Sequence, residues 1–241
     1  MISGAPPRST AAVDGKGASP ATPRLPLPAS VLVGRDRDLC AALVHLAGGG
    51  GEAHGDAGGE VTVAPRVAPW VAHGEARGGD AEQVGSRVLT LTGPGGVGKT
   101  RLALEITRHA APAYPDGVAW VELASVREPA QVPAAAAAAL GLVEQPGREA
   151  HAAVVDHCAA RRLLLVLDNC EHVIDACAAL VAALRARCPA LAVLATSREP
   201  LAVAGEVTQP VPPLGVPTLE ALRAAPSARP EDVAASPAVA L

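Results

Sequence analysis

Phenylalanine is absent from this 241-residue chain, and with 1 Tyr and 2 Trp the aromatic share is 1%. Single-stranded nucleic acid is gripped by stacking on aromatic rings, so that class of binding is not expected. Any core has to be built from the small and branched aliphatics that supply most of the 49% hydrophobic content. Lysine is almost as scarce: of 20 basic residues only Lys16 and Lys99 are lysines. A net charge of −4 offers no basic footprint for a polyanion, so direct nucleic-acid binding by this chain is not expected either. The 5 cysteines include no C-x-x-C pair and follow no secretory leader, which points to reduced thiols and a cytoplasmic protein. No apolar run reaches the roughly 18 residues of a membrane-spanning helix, so no membrane partner is expected.

Residues 1–28 carry Pro6, Pro7, Pro20, Pro23, Pro26 and Pro28 among Ser, Thr, Gly and Ala, and read as a disordered lead-in. Val31-Leu32-Val33-Gly34 then runs into a stretch with Leu39, Ala42, Leu43 and Leu46 at helical spacing. Residues 47–87 are glycine-rich and read as a flexible insertion, with a short extended piece at 61–71. From Val88 the chain alternates strand and helix. Strands are expected at 88–92, 118–123, 163–167, 191–195 and 207–211. Helices are expected at 99–111, 130–142, 148–161 and 171–187. Leu102, Ala103, Ile106 and Ala110 should line the inner face of the first of these helices, and Val173, Cys177, Leu180, Val181 and Leu184 that of the last. Continuous apolar strands separated by helices imply a parallel sheet covered on both faces. Residues 215–241 form a Pro/Ala-rich tail.

The chemistry is concentrated in Gly93-Pro94-Gly95-Gly96-Val97-Gly98-Lys99-Thr100, which fits the phosphate-binding loop G-x-x-x-x-G-K-[ST] directly after a buried strand and at the opening of a helix. Glycines let the backbone curl so that N–H groups meet phosphates, and the helix N-terminus adds partial positive charge. Lys99 would neutralise phosphate oxygens, and the Thr100 hydroxyl would coordinate Mg²⁺. Such a site also needs a carboxylate at the end of a neighbouring buried strand, which Asp168 supplies after Leu163-Leu164-Leu165-Val166-Leu167. Asn169 reads either as the N-cap of the next helix or as a replacement for a second acid. Glu171 reads as the base that activates water or as a solvated first-turn glutamate. Arg198, at the C-terminal end of the 191–195 strand, faces the ligand crevice of a parallel sheet, where it could sense a γ-phosphate. His151, Asp156, His157 and Cys158 are spaced poorly for a shared metal, and His54 and His73 read as solvated. A guanine-specifying N-K-x-D is excluded because Asn169 is not followed by Lys. A P-loop phosphotransferase would need an arginine-bearing lid that residues 123–161 do not offer.

Val33-Gly34-Arg35-Asp36, the loop from Leu91 to Ala103, Leu165 to His172, and Ala195 to Leu201 together resemble the nucleotide-binding domain of STAND ATPases of the NB-ARC type. Within that class they are most similar to the ATPase modules of large LuxR-like and antibiotic-regulatory transcription factors of high-GC bacteria. The resemblance covers residues 29–214 and implies an α/β three-layer P-loop NTPase with a parallel sheet of the ASCE type. It implies ATP or ADP as ligand with Mg²⁺, and a slow regulatory switch with possible nucleotide-dependent self-association. Under it, Val33, Gly34 and Arg35 lie against the adenine. Gly93 through Thr100, with Arg101, hold the phosphates, while Thr100 and Asp168 hold the metal and Arg198 reads the γ-phosphate. Lys99 and Glu171 would serve catalysis. The 47–87 insertion is longer than the family's usual link. The family would also continue past Leu241 into a helical lid, a winged helix and repeats, so by that measure the sequence reads as C-terminally truncated. A nucleotide-binding module without turnover is the alternative reading.

Overall fold

A computed structural model describes residues 32, 34–47 and 87–214. The expectations for 1–28, Val33, the 61–71 piece and the 215–241 tail fall outside the described residues, as does nearly all of the insertion. Within them, helix α1 (Asp36–Leu46) precedes strand β1 (Val88–Thr92) and helix α2 (Lys99–Ala110). Next come β2 (Val118–Glu122), α3 (Val132–Ala139) and α4 (Ala150–Cys158). The chain then forms β3 (Leu164–Asp168), α5 (Ile174–Arg187), β4 (Ala192–Ser197) and β5 (Glu206–Pro210).

The sheet runs β2-β3-β4-β1-β5, and every pair is parallel. Side chains alternate across a strand, and both faces here are apolar. Leu89, Leu91, Leu164, Val166, Ala192 and Leu194 face α1 and α2. Ala119, Val121, Leu165, Leu167, Val193 and Ala195 face the layer of α3, α4 and α5. The result is the three-layer α/β P-loop architecture with a five-stranded parallel sheet. Leu and Val fill it in place of aromatics, and each fully buried Leu contributes about 1.5–3 kcal/mol.

Every residue expected on the inner faces of α2 and α5 is buried. Helix α3 is shorter than the 130–142 expected, for two local reasons. Pro133 sits in its first turn after a 3₁₀ turn at Pro129–Gln131, and having no N–H it cannot bond the Pro129 carbonyl four residues back, so the α-helix starts no earlier. At the other end, Leu142 N–H bonds Ala137 O and Gly141 N–H bonds Ala138 O, with Gly141 at φ +71°. That is a Schellman termination, which uses glycine to accept the left-handed conformation. Helix α4 likewise spans less than the expected 148–161.

Candidate nucleotide site

β4 lies between β1 and β3, so the C-terminal ends of three adjacent strands deliver the P-loop, Thr196 and Asp168 to one crevice. Gly93 leaves β1 at φ +148°, and a Cβ there would come within 2.8 Å of Val211 O. Only glycine combines that torsion with that approach. Gly98, at φ +96°, is the N-cap of α2. Lys99 is buried, and its Nζ donates to Gly93 O at 2.7 Å and to Pro94 O at 3.1 Å, drawing the ends of the loop together. Pro94, Gly95, Gly96 and Gly98 are exposed, while Val97 is half-buried. Arg101, in the first turn of α2, has Nη2 enclosed without a hydrogen-bond partner among the described residues.

Asp168 is buried at the end of β3, and its Oδ1 accepts from Thr100 Oγ1 at 2.9 Å and from Thr196 Oγ1 at 2.6 Å. Strand parity explains the meeting: Asp168 follows Leu164 and Val166, and Thr196 follows Ala192 and Leu194, on the face that α2 covers. The role of Thr196 is missing from the sequence reading. Its only signal there was a hydroxyl at a strand end, which becomes informative once β4 is known to lie beside β3.

Two local expectations are corrected. Asn169 makes no side-chain cap; it takes the left-handed conformation at φ 63°, which Asn tolerates better than most residues, and opens a 3₁₀ turn at Cys170–His172. Because of that turn α5 begins at Ile174, so Glu171 is not in its first turn. Glu171 Oε1 instead lies 3.3 Å from Arg198 Nε, and its Oε2 is enclosed without a hydrogen-bond partner among the described residues. Arg198 is also beside the P-loop: a methyl on Gly95 would lie 3.5 Å from its Nη2. His172 fixes the turn by donating from Nε2 to Val126 O at 2.7 Å, the carbonyl being able only to accept.

Arg35, expected at the base, has its buried side chain committed to protein groups. Nη1 pairs with Asp38 at 3.1 Å, and Nη2 donates to Val97 O at 3.2 Å and also to Pro212 O. Gly34, before it, is exposed at φ +69°. A separate cavity of about 590 Å³ between α3 and α4 shares no lining residue with the site, and Arg148 within it is already paired to Asp156 at 2.8 Å. No cluster of three or more metal-ligating His, Cys, Asp or Glu occurs among the described residues.

The groups assembled here, a lysine, the turns of a glycine loop, a hydroxyl and a buried carboxylate, suit a magnesium nucleotide. Residues 79–224 match the family described as NB-ARC domain, over more than half of the chain. The chain belongs to the NB-ARC family.

Similarity to curated proteins falls on part of the NB-ARC chain. A protein of Mycobacterium tuberculosis, provisionally named an HTH-type transcriptional regulator, is 50% identical over 131 residues, which is 54% of this chain and 15% of that protein. The same figures hold for its Mycobacterium bovis counterpart. An uncharacterized protein of M. tuberculosis is 45% identical over 130 residues, 54% of this chain and 33% of its own length. The chain thus spans about 15% of the length of the regulators it matches. Among solved structures, Cdc6p from Pyrobaculum aerophilum aligns with a TM-score of 0.43 and 16% identity, over 72% of this chain and 41% of that one. The Aeropyrum pernix ORC2 protein aligns with a TM-score of 0.39 and 17% identity, over 52% of this chain and 41% of that one.

Proposed function

We propose that this NB-ARC chain is the nucleotide-binding switch unit of a signalling or transcription-regulatory ATPase, taking ATP or ADP with Mg²⁺ in the cytoplasm. The observation that carries the reading is the buried Asp168 carboxylate meeting the Thr100 hydroxyl at 2.9 Å beneath the P-loop. That pairing brings the two expected metal-side groups together across 68 positions of sequence. Regulation is supported by the regulator named among the relatives. No helix among the described residues is long and apolar enough to cross a membrane.

Each side chain has a task in this reading. Lys99 carries the positive charge that balances phosphate, and holds the loop through the Gly93 and Pro94 carbonyls until then. Mg²⁺, held by Thr100 and Asp168, would supply charge neutralisation at the phosphate oxygens. Arg198, exposed and beside Gly95 of the loop, would read the γ-phosphate. Glu171 is the candidate base for water, and its pairing with Arg198 keeps hydrolysis slow at most. Nucleotide-dependent self-association and a domain spanning residues 29–214 belong to the same reading.

The ion pair on Glu171, together with Asn169 where a second acid would stand, also favours a second reading, a nucleotide-binding module without turnover. Titration with ADP and ATP in the presence of Mg²⁺ tests what both share. Lys99→Ala is expected to weaken affinity at least about a hundredfold, or roughly 2.7 kcal/mol. Equal affinity in the variant removes the P-loop assignment. Turnover near 10 per second, an ordinary enzyme value, contradicts the slow switch.

A further inference from the structure

We infer that Thr196 is a positioning residue for the metal-side carboxylate, setting both the orientation of Asp168 and the direction in which the chain leaves it. The inference rests on the nucleotide reading above. Thr196 is fully buried at the end of β4, the strand interposed between the P-loop strand and the Asp168 strand. Its single hydroxyl hydrogen has an unambiguous place. Asn169 N–H, which can only donate, meets Thr196 Oγ1 at 2.9 Å, so the hydroxyl accepts there and gives its own hydrogen to Asp168 Oδ1 at 2.6 Å.

The second donor to that oxygen, Thr100, is exposed and belongs to the first turn of α2, next to the glycine loop. Thr196 belongs to the sheet. The carboxylate is therefore held from one side by the element that meets nucleotide and from the other by a fixed strand. The same hydroxyl also anchors the backbone of Asn169, where the left-handed conformation turns the chain out of β3. From Asn169 the chain turns through Cys170 into Glu171. One buried oxygen thus sets the rotamer of the metal carboxylate and the course of the segment bearing the candidate base.

Groups that orient a metal ligand typically change metal affinity by about 10–100-fold when removed. Thr196→Val keeps the shape and deletes the hydroxyl, and Thr196→Ser keeps the hydroxyl. The experiment measures ADP affinity with Mg²⁺ and with EDTA, and hydrogen exchange at the Asn169 amide. In Thr196→Val the Mg²⁺ enhancement of ADP affinity should fall about tenfold while the EDTA affinity stays within about threefold of wild type. The Asn169 amide should exchange at least about tenfold faster. Thr196→Ser should restore both, and Thr196→Ala carries the expectations of the valine variant should that one not fold.

Unchanged Mg²⁺ enhancement in Thr196→Val overturns the inference. So do equal losses with and without metal, which mark a residue needed only for packing. A wild-type chain that binds ADP equally with and without Mg²⁺ sinks the Thr196 role and leaves phosphate binding standing. A wild-type chain that binds no ADP overturns the nucleotide reading, and the Thr196 role falls with it.

Discussion

Arg35 separates a structural strut from a base-reading side chain, and replacing it with alanine distinguishes the two. The guanidinium is buried and joins three parts of the chain: Asp38 in α1, the Val97 carbonyl of the P-loop and the Pro212 carbonyl just after β5. Hydrogen bonds to a charged group are each worth about 1.5–3 kcal/mol net. Val97 is half-buried and Pro212 exposed, so both carbonyls regain water in the variant. Asp38 is 26% exposed and recovers solvent as well. Each contact therefore falls below that range, to about 1 kcal/mol, and the three together give a loss of about 3 kcal/mol. For a domain of this size that is a fall in melting temperature of roughly 10 °C. Arg35→Lys should recover only part of it, because one ammonium cannot reproduce a fork that spans two carbonyls and a carboxylate. The assay is thermal unfolding without nucleotide, followed by ADP titration of the folded variant. A melting temperature within about 1 °C of wild type, combined with weakened ADP binding, refutes the strut and returns Arg35 to the adenine.

Arg198→Ala should lower the preference for ATP over ADP about tenfold, and an unchanged preference in titrations takes Arg198 out of the γ-phosphate subsite. Whatever turnover the wild type shows should drop at least about a hundredfold in Glu171→Gln with ADP affinity intact; equal turnover excludes Glu171 as the base. The thiols give a separate test, since Cys40 is exposed while Cys158, Cys170, Cys177 and Cys188 are buried. Alkylation of the native chain at pH 8 should modify Cys40 alone, read by mass spectrometry, and early labelling of Cys158 contradicts the packing of α4 against α3 and α5. Burial pushes the Cys158 thiol from 9.0 up to about 12. The unfolded chain therefore loses this proton first, and stability holds below pH 9 and declines from pH 9 towards 12. Burial raises Tyr114 and Cys188 in the same direction. A loss of at least about 1 kcal/mol between pH 8 and 10 is expected in urea unfolding, and a rise in stability over that interval reverses the sign.

Much of the fold was legible because the signals are local. The apolar runs of β1, β3 and β4 and the helical spacing in α2 and α5 each follow from a few neighbouring residues, and the spans matched to within two residues except at the start of α5. The misjudged boundaries also have local causes. Pro133 and Gly141 delimit α3, and the bend at Asn169 displaces the start of α5. Periodicity alone does not register a single residue at positive φ.

The site divides along the same line. By itself the sequence determined the P-loop, Lys99, Thr100 and the acid at Asp168, because a phosphate cradle and a carboxylate ending a buried strand are written in contiguous residues. What only the tertiary structure decided is the order of the strands. Placing β4 between β1 and β3 turns Thr196 from a strand-end hydroxyl into the partner of Asp168, and sets Arg198 against both Glu171 and the loop. The return of the chain after β5 likewise makes Gly93 obligatory and commits Arg35 to Pro212. Contacts between residues 28 and 177 positions apart depend on how a parallel sheet is wound, and no local pattern encodes that.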